Sequence, residues 1–202
     1  MIKYILIALG LGGLAGYLNS VSGNTAAEGF VSDFLFNASL MMLLFVMGLM
    51  FGMDKESLAK LKKTGPKVLV VPFVVALGSI LGGLVGGLIL GINVVVSMAI
   101  CAGYGWYTLT GPLIVQIFGT EYGMLGFSVN FLRELLTITT ISLMIRIDRY
   151  APIAIGGATT MDTTLPVIVR YCGSDSLVSA FSNGFVLSVA APFTIVAIAS
   201  LR

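Results

Sequence analysis

Five apolar stretches, near residues 4–20, 34–53, 67–91, 123–145 and 177–201, are each long enough to cross a bilayer core of roughly 30 Å as a helix. In hydrocarbon every backbone N–H and C=O must find its partner inside the protein, so stretches of this length leave few folds open besides a helical bundle. A mean hydropathy of +1.04, with 57% hydrophobic and 10% charged residues, excludes an ordinary soluble domain. The expectation is an all-α polytopic membrane protein with residues 1–202 as one membrane domain. The N-terminal "MIKYILIALGLGGLAGYLNS" resembles a signal peptide in its Lys3 and apolar run. The Gly12 and Gly16 spacing favours a retained, packed helix instead.

Two further regions, 91–119 and 151–171, are hydrophobic but interrupted at their centres by "GWYTLTGP" and "GGATTMDTTLP". At an offset of 54 residues they match: Gly103 meets Gly157, Thr110 Thr164, Pro112 Pro166, Gly119 Gly173 and Phe131 Phe185, among nine identities in 29 ungapped positions. This predicts an internal repeat of broken segment plus long helix, over 93–145 and 151–201. The positive-inside rule places Lys55, Lys60, Lys62, Lys63 and Lys67 in the cytoplasm. If each broken segment dips in and returns to its own side, Lys3, Arg146, Arg149 and Arg170 join them and only Arg202 is external. The expected architecture is therefore five spanning helices plus two oppositely oriented re-entrant hairpins, with the N-terminus inside and the C-terminus outside. Half-helices of about 11 residues would bring both hairpin tips to the midplane. An inverted repeat of this kind is the plan of a secondary transporter.

Chemistry is restricted by what the chain lacks. Histidine is absent, which removes the commonest proton shuttle, metal ligand and general base, so proton transfer falls to carboxylates. Cys101 and Cys172 sit in apolar surroundings and read as packing residues. Neither a metal nor a cofactor is implied, and no catalytic dyad points to an enzyme. A net charge of +2 without a basic groove excludes nucleic acid as a partner. The glycines from Gly78 to Gly87 read as close helix packing, since no phosphate-loop pattern follows.

Asn130, Arg133 and Glu134 lie mid-way along the fourth long stretch, where an ionisable group costs at least about 2.5 to 3.5 kcal/mol and so marks a functional site. Asn130, Glu134 and Thr137 share a helical face. Arg133 reads either as a structural anchor or as a substrate contact. A direct bridge to Glu134 is disfavoured, because neighbours on a helix point about 100° apart. Asp162 sits at the second tip among Thr160 and Thr163, where it either binds a cation or caps a half-helix. Its counterpart in the first tip is Thr108, close to Thr110. Trp106 and Tyr107 offer aromatic faces to a cation there, with ordinary packing as the alternative. Free N–H groups at broken helix ends suit a carboxylate and a buried Glu suits an ammonium, so a cationic amino acid fits the inventory.

The motifs "ICAGYGWYTLTGPLI", "NFLRELL" and "GGATTMDTTLPVIVRYCG", in that order, resemble the lysine exporter family LysO from about Ser32 to the C-terminus. The resemblance implies export of L-lysine or a cationic analogue from a prokaryotic cell across its cytoplasmic membrane, coupled to an ion gradient, with protons as the expected coupling ion. Glu134 matches the family's membrane-embedded acid in the "RE" pair, and Asp162 matches a family position in "MDTTLP". Typical members carry further N-terminal membrane helices with another acid, for which Asp33 and Asp54, in expected loops, are poor substitutes. Either a small membrane subunit supplies that block, a homodimer compensates, or this short form transports something else. The rival readings are a sodium-coupled carboxylate transporter or cation/proton exchanger of similar hairpin plan, and a membrane subunit active only with a partner chain.

Overall fold

A computed structural model describes residues 2–22, 30–53 and 69–202, and every regular element among them is helical. The chain divides into two compact units, residues 1–53 and 54–202. In the first, α1 spans Ile2–Ser22, and a π-helical turn over Phe30–Leu35 runs into α2, Phe36–Met53. Asp33, expected in a loop, lies within that turn, where Phe30 and Phe34 stack one helical turn apart at 5.5 Å. Glu28, Asp54 and the lysines from Lys55 to Lys67 lie outside the described residues.

The second unit begins with α3, Val70–Leu90, which carries no charge over its length. It stops at Gly91, whose φ of 67° is a left-handed conformation that glycine adopts without strain, and the Gly91 N–H closes the helix onto the Gly87 carbonyl. Asn93 then starts α4, Val94–Cys101, by accepting hydrogen bonds from the Val95 and Val96 amides at 2.9 and 3.4 Å. The two helices pack backbone to backbone. A Cβ at Gly83 would stand 2.8 Å from the Ser97 carbonyl oxygen, so only glycine permits this approach.

After α4 the backbone breaks, and α5 runs from Tyr107 to Phe118. The single residue Gly119 turns the chain into α6, Thr120–Met144, which packs closely along α5. Gly111 and Gly123 allow that contact: a Cβ on Gly123 would lie 2.9 Å from the Val115 amide. A second broken segment follows. It comprises α7, Ala151–Gly156, a 3-10 turn over Gly157–Met161, and α8, Leu165–Cys172. Pro152 and Pro166 occupy first-turn positions of α7 and α8, where a missing N–H costs nothing. The last helix, α9, spans Ser176–Ala199. Among the described residues, α3 and α9 are long and apolar enough to cross a membrane.

All five long apolar stretches are therefore helices. The half-helices are 8, 12, 6 and 8 residues long, and three of the four fall short of the expected length. The breaks consume the difference: residues 102–106 in the first segment and the 3-10 turn with residues 162–164 in the second are not α-helical. The aligned prolines also sit differently, Pro112 inside α5 and Pro166 in the first turn of α8.

The breaks touch each other. The Ala158 N–H donates to the Tyr104 carbonyl at 2.8 Å, joining the two segments through backbone alone. Gly157, with φ 61° and ψ −126°, makes room for that contact, since a Cβ there would collide with the Tyr104 oxygen. Gly157→Ala is expected to destabilise the protein by at least 1–3 kcal/mol, roughly the cost of strained backbone alone. Gly126→Ala, whose Cβ would meet Ile114 and Thr110 at an ordinary 3.5 Å, is expected to change stability far less. Thermal melts of both variants in detergent check this difference; equal melting temperatures would contradict it.

Candidate functional site

The inward stripe of α6 is set by helical spacing. Gly123, Gly126, Asn130, Glu134, Thr137 and Ile141 are all buried and follow one another at three- and four-residue steps. Small residues at one end admit α5, and polar residues at the centre meet the breaks. Asn130, Glu134 and Thr137 thus share a face as their spacing predicts, although they do different things there.

Asn130 is consumed by the first break. Its Oδ1 accepts from the Gly105 N–H at 2.7 Å, and its Nδ2 donates to the Ile100 and Gly126 carbonyls at 2.9 Å. One amide side chain thereby replaces the helical bonds lost between α4 and α5. Arg133 is consumed by the second segment. Nε donates to the Ile155 carbonyl at 2.7 Å, Nη2 to Ala154 at 3.0 Å and Nη1 to Ser79 Oγ at 2.8 Å. The guanidinium therefore caps the end of α7 and ties it to α3. Its position against Gly157 also explains why a side chain at that glycine has no space. Arg133 also contributes to an open cavity of about 410 Å³ lined chiefly by Val74, Val75, Gly78 and Ile155.

Glu134, next to Arg133 in sequence, is left out of both arrangements. It is 9% exposed and its Oε2 has no hydrogen-bond partner. A buried carboxylate oxygen without a donor is costly to maintain, and Glu134 is the acid among the buried groups left so in the described residues, along with the Tyr104 hydroxyl, Ser182 Oγ and Asn183 Oδ1. Tyr107, the first residue of α5 and half-buried, lies beside this carboxylate, with Asp162 also within electrostatic reach of its hydroxyl. Asp162 itself is exposed at the second tip, and its Oδ1 accepts from the Thr163 amide at 2.6 Å. That bond turns the tip locally. No first-turn amide of α8 is capped by it.

The remaining residues divide between scaffold and opening. Thr110 is buried and donates to the Trp106 carbonyl at 2.7 Å. Thr160 is buried and donates to Gly157 and Ala180 carbonyls at 2.8 and 2.7 Å, binding the 3-10 turn to α9. Thr108 and Thr163 are exposed, and Trp106 is half-buried. The structure thus gathers Glu134, Tyr107 and Asp162 and commits Asn130, Arg133, Thr110 and Thr160 to backbone.

Three contributors escape a reading of the sequence. Asn183, buried on α9, donates from Nδ2 to the Ile153 and Gly157 carbonyls at 3.2 and 3.0 Å and holds the second break as Asn130 holds the first. The pairs Asn130 with Ile100 and Asn183 with Ile153 stand 53 residues apart, so an ungapped offset of 54 aligns Asn130 with Gly184 instead. A one-residue gap would have revealed them. Ser79 carries no signal among the glycines around it. Tyr104, the only non-glycine at positive φ among the described residues, with φ 54°, supplies the carbonyl between the breaks.

A family model described as lysine exporter LysO matches residues 6–199. The chain belongs to the LysO family. The match begins before the first broken segment and before Ser32, taking in nearly all of α1. The chain is 33% identical over 160 residues to the lysine exporter LysO of Escherichia coli (strain K12), covering 78% of this chain and 52% of that protein. It is 29% identical over 159 residues to the "Putative lysine exporter" of Haemophilus influenzae, covering 78% of this chain and 80% of that one. This LysO-family chain therefore spans about half the length of the E. coli relative and most of the length of the H. influenzae one. No solved structure matches it. The family is one of exporters and not of enzymes, and its member here is a membrane protein.

Asn130→Ala would strand the Gly105 N–H and the Ile100 carbonyl away from water, for a loss of at least about 2 kcal/mol. Arg133→Lys would also fail, because one ammonium cannot reach two carbonyls and a serine in the guanidinium's planar arrangement. Both variants are expected to lower the melting temperature in detergent, and wild-type stability in either would contradict the anchoring roles.

Proposed function

We propose that this chain exports L-lysine or a related cationic amino acid across the cell membrane by proton antiport. Glu134 is the group that binds proton and substrate in turn. The observation that carries this reading is the buried Glu134 carboxylate, whose Oε2 has no hydrogen-bond partner, set on the buried face of α6 beside two helix breaks. A charge held at that depth without a partner is favoured only where a cation or proton visits it. The names of the relatives supply the substrate class.

The two broken segments are read as re-entrant hairpins entering from opposite faces, within an inverted repeat over 93–145 and 151–201. Supporting the second hairpin, Arg149 at the start of α7 donates to the Cys172 carbonyl at the end of α8 at 3.0 Å and pairs with Asp175 at 3.3 Å, so the segment leaves and returns at one end. Supporting the first, α4 and α5 each join a long helix through a short turn, at residues 91–93 and Gly119. Arg202, beyond α9, donates to the Ile117 carbonyl at 3.1 Å, which sets the end of α9 beside the outer end of α5. With α3, α6 and α9 crossing fully, and α1 and α2 as further spans, the two tips meet from opposite sides. Substrate then reaches Glu134 past one tip at a time, from a cytoplasm that holds the N-terminus.

A partner-dependent form of the same activity is the second reading. A small membrane subunit or a second copy of the chain would then complete the pathway. Counterflow of labelled lysine in proteoliposomes containing the purified chain alone separates the two forms. In the same assay Glu134→Gln is expected to abolish proton-driven export, by 10²-fold or more, on the order expected for removal of a group that moves the proton. Its melting temperature should stay unchanged. Wild-type transport by the variant would sink the assignment, and sodium-dependent uptake of a dicarboxylate would replace it with the exchanger reading.

A further inference from the structure

We infer that Tyr107 is a positioning residue whose hydroxyl holds the Glu134 carboxylate by one side and leaves Oε2 turned to receive the substrate ammonium. This rests on the reading of Glu134 as the exchange site. The placement follows from packing. The Tyr107 ring meets Phe127 and Phe131 edge-on, with centroids at 5.3 and 5.5 Å, and those two rings stack on each other at 6.0 Å. Phe127, Phe131 and Glu134 occupy positions i, i+4 and i+7 of α6, so a ring resting on the first two brings its hydroxyl alongside the third. Such edge-on contacts fix the ring's orientation as well as its place.

The hydroxyl is within electrostatic reach of two acids in different surroundings. Glu134 is buried and Asp162 is exposed at the second tip. A phenol donates a single hydrogen bond, which serves one carboxylate oxygen and leaves the other unfilled. An ammonium, with three donors and a full charge, makes the stronger charge-assisted bond to that free oxygen. Tyr107 thus prevents the carboxylate from turning away or collecting other donors while the site is empty. Asp162 at the exposed tip is the first anion an arriving cation meets, and the preset Glu134 oxygen is the second. The ring contributes support, and the hydroxyl contributes affinity.

Tyr107→Phe keeps the ring contacts with Phe127 and Phe131 and removes only the hydroxyl. In counterflow of radiolabelled L-lysine by proteoliposomes of the full chain, this variant is expected to raise KM about 10- to 100-fold, as for loss of one hydrogen bond to a charged group. Vmax should stay within about twofold and the melting temperature should not change, a split that a purely structural role would not produce. Tyr107→Leu, which loses the ring as well, is expected to lower the melting temperature in addition. An unchanged KM in Tyr107→Phe, or a fall in Vmax at constant KM, overturns the positioning role. Glu134→Gln measured beside it separates this from the parent reading. An inactive Glu134→Gln with an unaffected Tyr107→Phe sinks the tyrosine alone, whereas full activity of Glu134→Gln overturns the exchange site and the tyrosine's role with it.

Discussion

The hydrogen bond from the Ala158 amide to the Tyr104 carbonyl joins two pieces of backbone that have left the helix. A helix broken in apolar surroundings exposes amides and carbonyls that water cannot reach, and each left unpaired costs several kcal/mol. The rest of the second unit is arranged around meeting that demand. Asn130 serves the first break, Arg133 and Asn183 serve the second, and the two breaks serve each other. Glycine supplies the conformations, with positive φ at Gly105 and Gly157, while Tyr104 tolerates the same region because its surroundings hold it there.

Among the buried side-chain atoms left without a partner in the described residues, Glu134 Oε2 is the carboxylate oxygen. Arg133 precedes it in sequence and yet faces a different direction, because successive helical residues point about 100° apart. The guanidinium is thereby available to α7 and Ser79, and the carboxylate keeps Oε2 without a partner near Tyr107. The asymmetry between the two broken segments has the same origin. Both use an asparagine from the following long helix, but only the first long helix carries an acid beside it, and only the second tip carries Asp162. The asparagine anchors recur, whereas the charges do not.

Much of this organisation was legible from residues alone. The long stretches became helices, the interrupted segments broke near "GWYTLTGP" and "GGATTMDTTLP", and the face shared by Asn130, Glu134 and Thr137 is the buried face of α6. Pattern could not apportion tasks on that face. Asn130, Thr110 and Thr160 carry the same donors and acceptors whether they bind substrate or backbone, and only the distance to a carbonyl tells which. Asn183 was hidden by a one-residue shift between the two halves, and Ser79 by the absence of any local signal.

What the sequence determined by itself is the solvent and the inventory. Its apolar lengths require helices in hydrocarbon, its glycines and prolines mark the breaks, and it places Arg133 and Glu134 midway along a long apolar stretch and Asp162 in an interruption. The tertiary structure decided which of those groups are spent. Arg133 is taken by carbonyls 21 and 22 residues away in the chain, and Glu134 is left free beside a tyrosine 27 residues before it. The reason is physical: in a low-dielectric interior a polar group's role depends on which partners come within about 3 Å, and that is a property of packing between distant segments.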